Sequence, residues 1–384
     1  MFKSFKTFEA ALQKSVDAGK IAGAVALVTD RDGVTYEHAA GLRAVGQPAA
    51  MDGATVFWIA SMTKAVVSVA ALQLVERGKL TLDGDLGELC PDLKDLQVLE
   101  GVAEGKPRLR PAKGFVTLRQ LLSHTSGFAY TFTHPEFLAF SQTEGALDPN
   151  SGSRAAHRQP LMFDPGQGWI YGIGIDWAGI VIEAASGQRL DAYLAENIFA
   201  PLAMFDTGFA LSEGQAPRKA SVHVRAPDGS LIAIPFGLPA NPEVLSGGGG
   251  LYSTAADYGK FLRMLLGDGG PVLSARTLRS LSESHSGAHK AGFIKSAMAT
   301  MSNDFDLYPH MATGHGLATM ITPEPTGDGR GAGSLAWAGL ANTYYWADPE
   351  AGQGGVLMTQ LLPFADPEVL ALLRALERGA YGLD

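Results

Sequence analysis

The segment Ile59-Ala60-Ser61-Met62-Thr63-Lys64 sets a serine hydroxyl three residues ahead of a lysine amine. On a helix, positions three apart lie on one face, so the two groups can meet. A lysine withdrawn from water gives up its proton more readily, and its neutral amine can then take the proton of a serine hydroxyl that attacks a carbonyl. The same spacing also describes a serine at a helix start with a solvated lysine one turn on. In a chain of 384 residues Ser-x-x-Lys should occur on the order of once by accident, so the neighbouring sequence has to decide.

The run that begins at Lys64, "KAVVSVAALQLVERGK", is apolar at helical period and is ended by Gly78. Ser61 therefore falls at or near a helix N-terminus, where unpaired N–H groups and the helix dipole favour an alkoxide and an adjacent oxyanion. Two strand-like runs flank Asp32-Gly33, a hairpin signal. A similar pair flanks Asp348-Pro349, with a helix from about Pro367 to Arg378 after it. Phe2, Phe5, Phe8, Leu12 and Val16 recur at helical spacing near the start. The middle of the chain reads as helices and long loops, with a capping box from Thr117 to Gln120 and helical periods in "IDWAGIVIEAAS", "DAYLAENIF" and "AADYGKFLRMLL", the last capped by Thr254 with Asp257. Residues 1–85 and 240–384 are thus expected to build one α/β domain from both termini, and residues 86–239 a mainly helical insertion. Phe128 to Asp164 is long, irregular and aromatic; Phe128, Tyr130, Phe132, Phe137 and Phe140 are expected to wall a substrate pocket.

Composition narrows the partners. A formal charge of −9 disfavours nucleic acid and anionic membrane surfaces. No apolar run of about 18 residues is present, so no membrane-spanning helix is expected. The single cysteine, Cys90, excludes a disulfide framework and a thiol metal cluster. The first residues lack the apolar core of a secretory signal, which makes the cytoplasm the default location. No Gly-x-Ser-x-Gly elbow occurs. "GAGSLA" (331–336) precedes a strand-like run instead of the helix a dinucleotide fingerprint needs. His285 and His289 lack the glutamate of a zinc-protease helix. No metal and no cofactor is expected, and a homo-oligomer is compatible with the sequence.

Four segments, in order, carry a resemblance: "SMTK" (61–64), "LLSHTSGF" (121–128), "FDPGQGWIYG" (163–172) and "SGGGGLYST" (246–254). Together they resemble the serine β-lactamase and penicillin-binding-protein superfamily, and most closely the class C β-lactamases and family VIII carboxylesterases. The resemblance runs from about Ala22 to Pro363. It implies an α+β fold, an antiparallel sheet flanked by helices with a mainly helical lobe inserted. It further implies that Ser61 is the acylated nucleophile, Lys64 its base, and Tyr171 a phenol sharing the proton transfer. The Lys-Thr-Gly of the lactamases is replaced by Trp337-Ala338-Gly339, as in family VIII esterases, and the backbone N–H groups of Ser61 and Leu340 would form the oxyanion hole. Trp337, Gly339, Phe128, Tyr130 and Ile173 are the expected substrate contacts. His124 and the glycine run are expected to be structural.

There are departures. Ile173 stands where the lactamase Tyr-x-Asn or Tyr-x-Ser motif is polar, and Trp337 stands where a cation receives the β-lactam carboxylate. Arg330 could supply that cation if its loop folded over the site. The expected reaction is hydrolysis of small carboxylic esters through an acyl-enzyme. Transfer of the acyl group to an alcohol, lactamase or D-peptidase activity at the same serine, and a non-catalytic binding protein on the same fold are the alternatives.

Overall fold

The computed structural model describes residues 3–148, 151–317 and 319–383. Phe2, expected on the first helix, lies outside them. That helix, α1, spans Lys6–Asp17 and buries Phe8 and Leu12. Four more helices frame the molecule: α2 (Thr63–Glu76), α3 (Gly174–Ser186), α4 (Ala255–Leu266) and α5 (Pro367–Ala380).

The main sheet has seven strands: β1 (Gly23–Asp30), β2 (Val34–Gly41), β3 (Gly314–His315), β4 (Met320–Ile321), β5 (Leu335–Gly339), β6 (Thr343–Asp348) and β7 (Gln353–Met358). Their order is β2-β1-β7-β6-β5-β4-β3, antiparallel throughout. This is the antiparallel α+β sheet expected from the resemblance. The two hairpins read from Asp32-Gly33 and Asp348-Pro349 lie side by side because β1 pairs with β7, Val25 facing Met358. Helices cover both faces. A Cβ at Gly259 of α4 would lie 2.9 Å from Leu27, so α4 rides close on the face that Leu27 presents. From the other side Phe5, at the head of α1, lies flat on Tyr36, ring centroids 3.7 Å apart; Tyr36 is the cross-strand partner of Val28, and neighbours along a strand point to opposite faces.

α2 is apolar on all sides, as a helix in the middle of a core must be, and Thr63 to Leu74 are all buried. It packs against α3. The caps read from sequence are present: Thr117 and Gln120 cap each other's turn, and Thr254 Oγ1 accepts from the Asp257 N–H. Two features were not expected. Gln97–Ala103 and Lys106–Pro111 form a hairpin, turned by Glu104 and Gly105 at φ +51° and +73°. Val222–Arg225, Leu231–Ile234 and Leu361–Leu362 form a small third sheet. Among the described residues no helix is long and apolar enough to cross a membrane.

Candidate active site

Ser61 sits in a tight turn, Ala60–Met62, directly before α2. The chain enters that turn through a two-residue ladder, Phe57–Trp58 against Tyr252–Ser253, continued by Ile59 N–H donating to the Leu251 carbonyl at 3.0 Å. Ala60 is then held at φ +43°, a left-handed conformation that costs a residue with a Cβ on the order of 1–3 kcal/mol and persists only where its surroundings enforce it. The bend presents Ser61 at the helix start, partly exposed, while Lys64 one turn on is buried.

Lys64 Nζ has three polar partners. It donates to Ser61 Oγ at 3.2 Å, to the Tyr130 hydroxyl at 3.0 Å and to the Gly248 carbonyl at 2.6 Å. Tyr130 in turn donates to Asp176 Oδ2 at 2.9 Å. Burial, and after it the Asp176 charge, holds the Tyr130 phenol well above the ordinary tyrosine range. Asp176 Oδ1 accepts from Ser246 Oγ at 2.7 Å and from the Gly248 N–H at 2.9 Å. Here the glycine run has a specific cause. A Cβ at Gly248 would lie 2.1 Å from Asp176 Oδ2 and 2.6 Å from the Tyr130 hydroxyl, so only glycine lets the backbone carbonyl reach the lysine.

Tyr171 is brought to the same place by a different contact. Its ring lies 4.7 Å from Lys64 Nζ, and its hydroxyl accepts from Trp337 Nε1 at 3.3 Å. The phenol hydrogen-bonded to the lysine is thus Tyr130, and the Tyr171 hydroxyl is directed by the indole. Trp337 also stacks on His124. His124 and His315 are buried side by side behind these rings, centroids 5.0 Å apart. Burial lowers both, His124 well below the usual histidine range and His315 to about 4, so neither adds positive charge beside Lys64 near neutral pH.

Two cavities meet at Ser61. One of about 450 Å³ is lined by Trp58, Tyr130, Phe132, Ile173, Phe236 and Leu340 among others. A narrow slot of about 20 Å³ runs the other way, past Tyr171, Ile294, Phe305, Trp337 and Gly339. Ser61, Phe132 and Leu340 border both. Of the expected wall, Tyr130, Phe132 and Ile173 stand in place. Phe128 does not: it is buried and stacks on Trp177, centroids 5.9 Å apart. Phe137 and Phe140 pack on each other and on Leu99, away from Ser61, because their three-residue spacing on the short helix Pro135–Ser141 turns both toward the 97–111 hairpin. Arg330 does not reach the site. It is fully buried, paired with Glu377 through Nε at 2.9 Å and through a second, shorter contact, and lies between Tyr308 and Trp346. No lysine or arginine is among the described residues that line either cavity.

Gly339 does more than border the slot. A Cβ there would fall 2.3 Å from the Ile59 carbonyl oxygen and 2.2 Å from Thr343 Oγ1, so β5 can close on the turn that carries Ser61 only through a glycine. Gly339→Ala is expected to destabilise the protein by about 1–3 kcal/mol, the usual range for overpacking, and to lower activity as Leu340 is pushed from Ser61. Denaturant unfolding and ester turnover measured together check this.

A Ser-x-x-Lys pair at the head of a central helix, its lysine buried, facing a strand of an antiparallel sheet across a cleft, is the arrangement of the serine β-lactamases and penicillin-binding proteins. The chain belongs to the beta-lactamase family, which matches residues 8–379; it is an enzyme of the serine β-lactamase-like superfamily. It is 34% identical to monacolin J acid methylbutanoyltransferase of Aspergillus terreus, over 97% of this chain and 94% of that one. It is 32% identical to lovastatin esterase of Penicillium rubens, over 94% of each. A solved variant of simvastatin synthase from Aspergillus terreus superposes with a TM-score of 0.85 at 32% identity, over 98% of this chain and 94% of that one.

Proposed function

We propose that this protein is a serine carboxylesterase that works through an acyl-enzyme on Ser61. The observation that carries the reading is the buried Lys64 amine 3.2 Å from Ser61 Oγ at the mouth of an apolar cavity. Ser61 Oγ attacks the ester carbonyl while its proton passes to a deprotonated Lys64; the carbonyl oxygen becomes an oxyanion facing the backbone N–H groups of Ser61 and Leu340. Collapse expels the alcohol, which needs a proton. Indole N–H can only donate, so the Tyr171 oxygen accepts from Trp337 and its own proton is left to point elsewhere, into the slot it shares with Ser61. The Tyr130 proton, by contrast, is committed to Asp176. Tyr171 therefore suits delivery of the proton to the leaving oxygen, and water then hydrolyses the acyl-enzyme.

A second reading keeps the first half-reaction and replaces water by an alcohol. The relative named as a methylbutanoyltransferase favours it, and so does the size and apolar lining of the larger cavity, which suits an alcohol better than water. Both readings require Ser61 to be acylated. A fluorophosphonate should add covalently to Ser61, located by intact mass and peptide mapping, and Ser61→Ala should lose both label and turnover of p-nitrophenyl butyrate. Label on another serine with activity surviving in Ser61→Ala rules out the acyl-enzyme. Adding butanol to the assay and measuring butyl ester against butyrate separates the two readings.

A further inference from the structure

We propose that Asp176 is a positioning residue that forces Lys64 to turn its lone pair toward Ser61. The proposal rests on the reading of Ser61 as nucleophile and Lys64 as its base. Asp176 stands in the first turn of α3, is buried, and makes no ion pair with lysine or arginine among the described residues. Its side chain accepts three hydrogen bonds: from the Tyr130 hydroxyl, which Lys64 also touches, from the N–H of Gly248, whose carbonyl Lys64 touches, and from Ser246 Oγ.

Which groups can donate decides the orientation of the amine. A carboxylate only accepts, so the Tyr130 proton must point to Asp176, and the Tyr130 oxygen offers Lys64 only lone pairs. The Gly248 carbonyl also only accepts, and Asp176 anchors the same residue by accepting from its N–H, one peptide unit before that carbonyl. A neutral lysine amine has two N–H bonds and one lone pair. Its two N–H bonds are claimed by Tyr130 and Gly248, and the lone pair has one remaining direction, toward Ser61 Oγ. When Ser61 attacks, its O–H bond breaks, an N–H bond forms on Lys64, an O–C bond forms to the ester carbon, and the carbonyl π pair moves to oxygen. The ammonium so formed has three protons for three acceptors, the arrangement in which the side chain stands here. Without the carboxylate, the Tyr130 hydroxyl is free to turn round and donate to the lysine lone pair, which idles the base.

Asp176→Asn tests this with an unambiguous geometry. The Gly248 N–H cannot become an acceptor, so the new amide must keep its oxygen there and present its NH₂ to Tyr130. Tyr130 then has to aim its proton at Lys64. The expected result on p-nitrophenyl butyrate is a fall in kcat of about 10–100-fold, less than the roughly 10²–10⁴-fold that a general base itself contributes, with KM changed less than about threefold. The distinguishing measurement is the sign of Tyr130→Phe. In the wild-type background it removes a Lys64 acceptor and lowers kcat. In the Asp176→Asn background it removes the misdirected hydroxyl and raises kcat at least about fivefold. Asp176→Ala supplies the same comparison should the asparagine variant not fold, since it too frees the Tyr130 proton. A role in folding alone would lower both variants together and could not reverse that sign. Wild-type kcat in Asp176→Asn, or a double variant slower than the single, overturns the proposal. Failure of the fluorophosphonate to label wild-type Ser61 would instead overturn the acyl-enzyme reading beneath it.

Discussion

Lys64→Ala lowers kcat for a short p-nitrophenyl ester by about 10²–10⁴-fold, the range in which a positioned general base contributes. The side chain is buried at the junction of Ser61, Tyr130 and Gly248, and no lysine or arginine among the described residues lines either cavity to take over its role. Tyr171→Phe falls in the same range if the phenol protonates the leaving alcohol. Its ring contact with Lys64 survives the change, so the loss would report the hydroxyl. Residues that act as one unit are strongly non-additive. The Lys64→Ala/Tyr171→Phe double variant should therefore lose far less than the product of the single losses. Fully multiplicative losses would show two independent groups and would contradict a shared proton path.

The second large effect concerns substrate choice: kcat/KM for p-nitrophenyl butyrate exceeds that for nitrocefin or a penicillin by at least about a hundredfold. A β-lactam antibiotic brings a carboxylate beside its reactive amide. Here Trp337 replaces the cation of the Lys-Thr-Gly strand, and its one N–H is already given to Tyr171. Arg330, the nearby alternative, is buried against Glu377. A carboxylate entering this cleft loses water without gaining a charged partner, and one missing charge-assisted hydrogen bond costs about 1.5–3 kcal/mol, or roughly 10–150-fold. Ile173 on the wall of the larger cavity offers no polar contact in return. Neutral esters meet neither penalty. Side-by-side initial rates decide it, and equal efficiency on nitrocefin and the butyrate ester would mean that the cleft receives a carboxylate without a cation.

Local signals were legible in the sequence. Ser61 at a helix head, the Thr117 and Thr254 caps and both hairpin turns depend on residues within a few positions of each other, and the structure shows each of them. The family resemblance put Trp337 and Leu340 beside Ser61, where they lie. What stayed hidden depends on contacts between distant segments. Asp176 reads in "IDWAG" as an ordinary acid in a first helical turn; nothing nearby says that Tyr130 and Gly248 will close on it. Phe128 and Tyr130 are two residues apart and look equivalent in an aromatic stretch, yet one stacks in the core on Trp177 and the other holds Lys64. The 97–111 hairpin is hard to read from sequence, since Pro107 and Pro111 argue against a strand; both sit in a two-stranded ribbon, where a missing N–H costs little.

The pairing of β1 with β7 also sets an order of events during synthesis. A ribosome releases β1, β2, Ser61 and Lys64 well before β5 and β7. Until then β1, buried along nearly its whole length in the finished protein, has only β2 beside it and an open apolar edge on the other side. Such an edge is a template for pairing with other chains. The nascent chain thus carries its serine and lysine without Leu340 or Trp337 to face them until β5 emerges, and β1 keeps an unpaired edge until β7 follows. A chain stopped at Gly352 would keep the Ser-x-x-Lys pair intact and still have no partner for β1.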